Sequence, residues 1–365
     1  MAARWLIYGA NGYTGELVAR EAARRRLAPV LAGRSDAVGE LAGELDLPAR
    51  VFPLGDPSSL RAHLADVDAV VHCAGPFVHT SRPMVEACLA TGTHYLDVTG
   101  EIAVFEAIHA IDAKAKAAGV ALVPGVGFDV VPTDCLAARL AEALPGARRL
   151  ELAFVAEGGG PSRGTAKTMV THLPRLGAIR RDGAIVPVPA VWDAKELTLA
   201  LPGGETVRRW VATIPWGDVS TAYRTTGIPE VRVYTGMPPK QIRALRRLRP
   251  LLPLAGLAPV KRLLLAWLDR RYAARRGPGE EARRRGRVLV WGRAVDDAGR
   301  EATGVLVTPD GYTFTAASAL ECLSRLLASP PAPGAWTPSR AFGADLVEAI
   351  PGVEVGPIEV REPGG

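Results

Sequence analysis

Short apolar runs, each closed by a glycine or polar turn and followed by a helical repeat, dominate the first 125 positions. Trp5-Leu6-Ile7-Tyr8 ends in a glycine loop. Residues 13–26 follow as a predicted helix with Leu17, Val18 and Ala22 toward the sheet. Arg24 to Arg26 stand near its C-terminal end, where cations suit the helix dipole. The same unit recurs. Strands are predicted at 29–32, 51–54, 68–74, 94–97 and 120–123, with helices at 36–45, 57–65, 81–91 and 103–118 between them. Six strands alternating with helices at this spacing predict a doubly wound parallel sheet of the Rossmann type.

Beyond about residue 147 the period changes. Strand-like runs occur at 150–156, 184–192, 195–201, 206–213, 231–235, 287–296 and 302–308. Their spacing and their paired-glycine turns predict an α+β domain on a mostly antiparallel sheet. A helix at 315–328 and a tail follow. A chain of 365 residues, 48% hydrophobic, suits two domains rather than one. The expected division is 1–146, 147–310 and a C-terminal piece, 311–365.

Cysteine and charge narrow the class. Cys73, Cys88, Cys135 and Cys322 form no C-x-x-C pair and have no histidine at metal spacing. Free thiols in a reducing cytosol are expected, with neither a disulfide framework nor a metal site. The N-terminus enters its first strand almost at once and leaves no room for a signal peptide, so a cytoplasmic location is expected. The net charge of +6 is uneven. Residues 240–287 hold 15 Lys/Arg against three acids, a balance of +12, so the remainder, with 29 bases and 35 acids, is −6.

The loop Gly9-Ala10-Asn11-Gly12-Tyr13-Thr14-Gly15 has the form G-x-x-G-x-x-G. The first glycine permits a tight exit from the strand, the second lets a pyrophosphate approach the backbone, and the third packs helix on sheet. The phosphates then meet free N–H groups at a positive helix end. Glycines also simply make turns. Here, however, the triplet follows a strand, opens a helix and heads six βα repeats, which predicts dinucleotide binding. An NAD site carries an acid at the end of the second strand for the ribose 2′-hydroxyl. This chain has Ala32-Gly33-Arg34-Ser35 there, and Arg34 and Ser35 can both donate to a 2′-phosphate. NADP(H) is therefore the expected cofactor. Arg34 as a plain surface residue, or Asp36 turned inward, are the alternatives. Asp56 stands where an acid can accept from the adenine amino group or cap the helix that Pro57 opens. After the fourth strand, Ala74-Gly75-Pro76-Phe77 is small enough for backbone to line the nicotinamide ribose, with Phe77 on the ring or in the core.

These motifs, followed by Y-L-D-V-T-G-E (95–101), G-V-G-F-D-V-V-P-T-D (125–134), G-Y-T-F-T-A (311–316) and P-G-A-W-T-P-S-R-A-F-G (333–343), occur in an order that resembles the saccharopine dehydrogenase-like oxidoreductases. That family includes actinobacterial trans-acting enoyl reductases. The middle, about 160–300, is similar only at R-G-T-A (163–166) and the R-R-D-G turn (180–183). The resemblance implies hydride transfer with NADP(H), a sheet-based second domain and a C-terminal segment returning to the first domain. It leaves the substrate open, from amino-acid derivatives to acyl chains.

A reductase also needs a proton donor. Glu101 and Asp129 follow strands five and six, at the end of the sheet where ligands bind, and are the leading acid/base candidates. Each has a structural alternative: Thr99-Gly100-Glu101 capping the helix at 103–118, and Asp129 capping one at 133–144. Tyr95, His79, Lys167 and His172 rank below them. A saccharopine-type substrate needs cations for its carboxylates, and only Arg163, Lys167 and Arg175 offer themselves. The apolar second domain suits a lipid-like substrate at least as well.

From Lys240 to Tyr272, apolar and cationic residues alternate, broken by Pro250, Pro253 and Pro259, which excludes an uninterrupted transmembrane span. A helix pair packed on the second domain, or an interfacial pair meeting anionic lipid through 240–275, fits this pattern. Nucleic-acid binding does not, because no aromatic platform accompanies the charge. The function expected is an NADP(H)-dependent oxidoreductase, a reductase of an acyl, enoyl or other lipid-like substrate. A non-catalytic NADP sensor or scaffold, and a saccharopine-type amino-acid dehydrogenase, are the competing readings.

Overall fold

The structure is a computed structural model and describes residues 3–158, 160–172, 177–272 and 277–363. Two units emerge. The first takes the chain up to Val131 together with Tyr312–Pro351, and the second takes Pro132–Gly311 and the chain from Gly352 onward.

In the first unit β1 (Trp5–Tyr8) leads to α1 (Tyr13–Arg24), β2 (Val30–Gly33) to α2 (Ala37–Leu45), and β3 (Ala49–Val51) to α3 (Pro57–Leu64). Then β4 (Ala69–His72) leads to α4 (Phe77–Thr91), β5 (His94–Asp97) to α5 (Ile102–His109) and α6 (Asp112–Ala118), and β6 (Ala121–Val123) follows. The strands run parallel in the order β6-β5-β4-β1-β2-β3, the doubly wound arrangement predicted above. Every residue of β1, β2 and β4 is buried, as a parallel sheet covered on both faces requires.

Three predicted elements shift. The third strand lies at 49–51 rather than 51–54, since Pro53 has no N–H for the ladder. The fourth helix starts at Phe77, not 81, for a reason that lies 24 residues away and is given below. The helix expected over 103–118 breaks at Ala110-Ile111. That break sets Asp112 at the start of α6, where its Oδ1 accepts from Ala335 N at 2.8 Å.

The second unit contains α7 (Val131–Ala143), β7 (Arg149–Glu157), α8 (Arg163–His172), β8 (Ala178–Arg181), β9 (Ala184–Pro187), β10 (Ala194–Ala200) and β11 (Thr206–Thr213). It continues with α9 (Asp218–Thr226), β12 (Glu230–Gly236), α10 (Pro239–Leu248), α11 (Ala258–Arg271), α12 (Glu280–Arg285), β13 (Arg287–Val295) and β14 (Glu301–Pro309). The main path is β10-β11-β12-β7-β13-β14, antiparallel throughout except between β12 and β7. Of these elements α8, β8, α9 and α12 have no counterpart in the periodicity reading.

Residues 132–146 go with this second unit, whereas the sequence reading placed them in the first. Leu136 and Leu140 of α7 press on glycines of the second sheet. A Cβ at Gly292 would sit 2.6 Å from Leu140 Cδ1, and one at Gly304 would sit 2.9 Å from Leu136 Cδ1. The C-terminal region divides as well. Helix α13 (Gly311–Ala328) and strand β15 (Gly334–Ala335) belong with the first unit, where β15 pairs in parallel with β6 as a seventh strand. Further on, Glu354–Val355 and Glu359–Arg361 add antiparallel strands to β14 of the second sheet. Only part of 311–365 therefore returns to the first domain.

Candidate active site

The glycine loop is tied to the sheet before it turns. Gly9 N and Ala10 N both donate to Ala32 O of β2, at 2.7 and 3.1 Å, and Gly12 N donates to Gly9 O at 2.9 Å. Gly9 has φ +83°, and a Cβ there would meet Ala74 at 2.8 Å. At Gly15 a Cβ would fall 2.2 Å from Gly9 O, so helix α1 can approach its own loop only without a side chain. The first intrahelical bond is Glu16 N to Gly12 O. The amides of residues 13–15 therefore point along the axis with no acceptor inside the helix, an arrangement suited to a pyrophosphate.

Beside the loop, Asn11 Nδ2 donates to Ser35 Oγ at 3.2 Å, bridging it to the end of β2. Arg34, Ser35 and Asp36 are all exposed there. Arg34 lies close enough to the Tyr8 hydroxyl for its charge to oppose the burial that pushes that phenol up to about 12. No acid pairs with Arg34 among the described residues. These residues fit an adenosine 2′-phosphate: an exposed guanidinium with no ion pair among the described residues, beside an exposed hydroxyl. Asp56 is the N-cap of α3, with Oδ1 accepting from Ser58 N at 2.9 Å and Ser58 Oγ at 2.7 Å, bonds that hold its carboxyl below the usual range. The capping alternative is thus realised in the structure. Tyr13 and Thr14 open α1, and the Tyr13 ring meets Tyr312 edge-on at 5.0 Å.

The second half of the site gathers at the carboxyl ends of β4, β5 and β6. Ala74-Gly75-Pro76-Phe77 leads from β4 into α4, with Thr80 donating to Ala74 O at 2.5 Å. Because that hydroxyl donates to a carbonyl, His72 Nε2, 3.1 Å from Thr80 Oγ1, carries the proton, leaving Nδ1 bare. Burial drives His72 down to about 3, so the ring is neutral.

Glu101 accepts from Phe77 N at 2.8 Å through one oxygen and from Val78 N at 3.0 Å through the other. It caps α4 from a distant loop, which is why that helix begins at 77. The expected cap of the helix at 102–109 is not made by its side chain. Asp97 is fully buried. Its Oδ1 accepts from Thr99 N at 3.0 Å and Gly125 N at 2.9 Å, and its Oδ2 accepts from the Tyr95 hydroxyl at 2.7 Å. It locks the loops after β5 and β6 together. Sequence reasoning placed Asp97 at a strand end without that role, because its partners are backbone amides up to 28 positions away.

Asp129 lies against Gly100, where a Cβ would be 2.6 Å from its Oδ2. The two loops thus bring Glu101 and Asp129, the two candidates, into electrostatic contact. Burial pushes Asp129 up to about 7, and the Glu101 charge adds to the shift. Burial likewise lifts Asp97 to about 6. The C-terminal helix α13 closes this corner: Thr315 Oγ1 accepts from Phe128 N at 3.0 Å, and Ser318 Oγ donates to Val126 O at 2.7 Å. Neither contact is visible to local periodicity, although Val126, Phe128 and Thr315 lie in the motifs quoted above. Among the weaker candidates, Lys167 pairs with Asp269 at 2.7 Å, as does Arg163. The His172 side chain and Arg175 lie outside the described residues.

The raised carboxyls have a measurable consequence. A folded pKa above the unfolded one means the native state holds the extra proton, so stability is fully present below about pH 4 and lost as pH rises through about 6–7. His72, depressed, acts with the opposite sign, losing stability as pH falls. The diagnostic quantity is therefore the difference between Asp129→Asn and the parent protein in urea unfolding. Asp129→Asn is expected to gain on the order of 2 kcal/mol between about pH 4 and 8, discounting the full shift because Asp129 is half-buried. A pH-independent difference would show that Asp129 titrates normally.

Residues 5–123 match the saccharopine dehydrogenase NADP binding domain. A saccharopine dehydrogenase-like oxidoreductase of Mus musculus is 27% identical over 234 residues, covering 56% of this chain and 52% of that protein. A trans-acting enoyl reductase of Mycobacterium leprae is 36% identical over 140 residues, covering 35% of this chain and 33% of the relative. The chain thus spans about half the length of the first relative and a third of the second. In fold, apo saccharopine dehydrogenase (L-Glu forming) of Saccharomyces cerevisiae superposes with a TM-score of 0.66 at 13% identity, covering 99% of this chain and 100% of that one. Residues 5–123 therefore form a saccharopine dehydrogenase NADP binding domain, and over about half of its length the chain is similar to saccharopine dehydrogenase-like oxidoreductases.

Proposed function

We propose that this protein is an NADP(H)-dependent reductase of an acyl, enoyl or other lipid-like carbonyl-conjugated substrate. The observation that carries the reading is the Glu101–Asp129 arrangement at the carboxyl ends of β5 and β6, in the same unit as the glycine loop. NADPH, when bound, supplies a hydride. Gly9 to Gly15 hold its pyrophosphate, Arg34 and Ser35 its 2′-phosphate, and Ala74 to Phe77 lie where backbone lines the nicotinamide ribose. Glu101, with both oxygens occupied by α4 amides, positions that backbone. Asp129, at about 7, keeps a proton available near neutral pH and acts as the donor. The trans-acting enoyl reductase among its relatives supports this substrate class. Against a saccharopine-type substrate stands the pairing of Arg163 and Lys167 with Asp269, which commits the cations a dicarboxylate would need.

The test is NADPH oxidation across a panel of acyl and enoyl thioesters. Turnover with at least one thioester is expected, and Asp129→Asn should lower kcat by about 100-fold or more with NADPH affinity unchanged. Tight NADPH binding with no oxidation by any thioester would instead support a sensor or scaffold. Full turnover in Asp129→Asn would remove Asp129 as donor.

A further inference from the structure

The second unit presents a surface that the reductase chemistry does not use. Eleven large hydrophobic side chains are exposed among the described residues, and six of them fall between 248 and 267: Leu248, Leu251, Leu254, Leu257, Leu263 and Trp267. They are not scattered. Arg249–Gly256 is a 3₁₀ helix, whose three residues per turn stack positions i and i+3 on one edge. Leu251 and Leu254 therefore align, with Leu248 and Leu257 extending the spacing at each end. Their exposures are 46, 56, 50 and 52% from 248 to 257. In α11, Leu263 and Trp267 stand one turn apart, at 71 and 58%, and Arg270 continues that face.

The opposite side of the segment is anchored. Ile242, Ala255 and Leu268 are buried, and Ile242 packs with Ala190, Val191 and Ala212. Arg246 and Arg249 donate to the carbonyls of Val191 and Ala190. Asp269 holds Arg163 and Lys167 of α8. The outward orientation of the leucines is thus fixed by packing beneath them.

Charge identifies what would cover this face. Arg243, Arg247, Arg262, Arg270 and Arg271 are exposed and make no ion pair among the described residues. A second copy of this chain would bring the same cations face to face. No single described helix is long and apolar enough to cross a membrane, and the run Pro239–Gly256 meets Ala258–Arg271 at a bend of 103°. A bent pair with apolar side chains outward and cations flanking them suits a position lying in a bilayer interface, with leucines among the acyl chains and guanidinium groups at anionic headgroups.

We propose that residues 240–272 dock the protein on an anionic lipid surface. The experiment is vesicle flotation of the full chain, with light scattering of the lipid-free protein alongside. Phosphatidylcholine vesicles containing about 30% phosphatidylglycerol should carry the protein up the gradient, pure phosphatidylcholine much less, and raising salt from about 0.1 to 0.5 M should weaken the partition. Leu254→Ser combined with Trp267→Ser should reduce partition about tenfold or more. Arg262→Gln combined with Arg270→Gln, which leaves the apolar face intact, should reduce it severalfold and flatten the salt dependence. An unchanged partition in both double variants, or equal binding to neutral and anionic vesicles, would overturn the proposal. So would a lipid-free dimer that the Leu254/Trp267 variant converts to monomer, or binding to duplex DNA stronger than to anionic vesicles.

Discussion

Arg34→Glu is expected to weaken NADPH binding by roughly three orders of magnitude, or about 4 kcal/mol, while NADH binding changes little. The charge-assisted bonds Arg34 would make to a 2′-phosphate are lost, and the new carboxylate repels that phosphate. On NADH the same carboxylate meets a 2′-hydroxyl, for which an acid at this position is a suitable acceptor. The exposed position of Arg34 at the end of β2 means the substitution disturbs no packing. Fluorescence titration of both nucleotides measures the effect. Equal losses for the two would refute the 2′-phosphate role and leave Arg34 a surface residue.

The largest effect on stability is expected at Asp97. Asp97→Ala leaves Thr99 N, Gly125 N and the Tyr95 hydroxyl without their acceptor in the interior. Each orphaned group costs about 1–3 kcal/mol, so a loss of about 3–5 kcal/mol in urea unfolding at neutral pH is expected. Asp97→Asn behaves differently. Its amide oxygen can still accept from the two backbone amides, and its amino group can donate to the Tyr95 oxygen. It also removes the cost of a buried charge, evident in the raised pKa. A loss below about 1.5 kcal/mol is expected for it. Equal destabilisation by both would mean that packing rather than hydrogen bonding makes Asp97 important.

Both effects turn on residues of very different legibility. Arg34 could be read from the chain because the βα rhythm locates the end of β2, and one local position there reports the cofactor. The βα alternation of the first sheet and most strands of the second were legible for the same reason: period and turn residues are local properties. What escaped depends on contacts distant in sequence. Helix α4 starts four residues early because Glu101 caps it from another loop. Asp56 had two open roles, and the cap bonds to Ser58 are a matter of rotamer, not of residue type. The boundary near 131 moved because Leu136 and Leu140 find glycines on β13 and β14 more than 150 positions on. The leucine stripe became apparent only once residues 249–256 proved to be a 3₁₀ helix, since an α-helical repeat would spread those side chains over wider angles.

Strand β15 carries a consequence for biosynthesis. It is the outermost strand of the first sheet beside β6, yet more than 200 residues separate the two in the chain. As the polypeptide leaves the ribosome, six strands of the nucleotide-binding sheet emerge first, with the rim of β6 uncovered until residue 334 follows. An open rim of that kind is a template for pairing with other chains. The nascent protein must therefore keep a half-closed sheet out of trouble while the whole second unit is translated, and a fragment ending near residue 131 inherits the same exposed rim permanently.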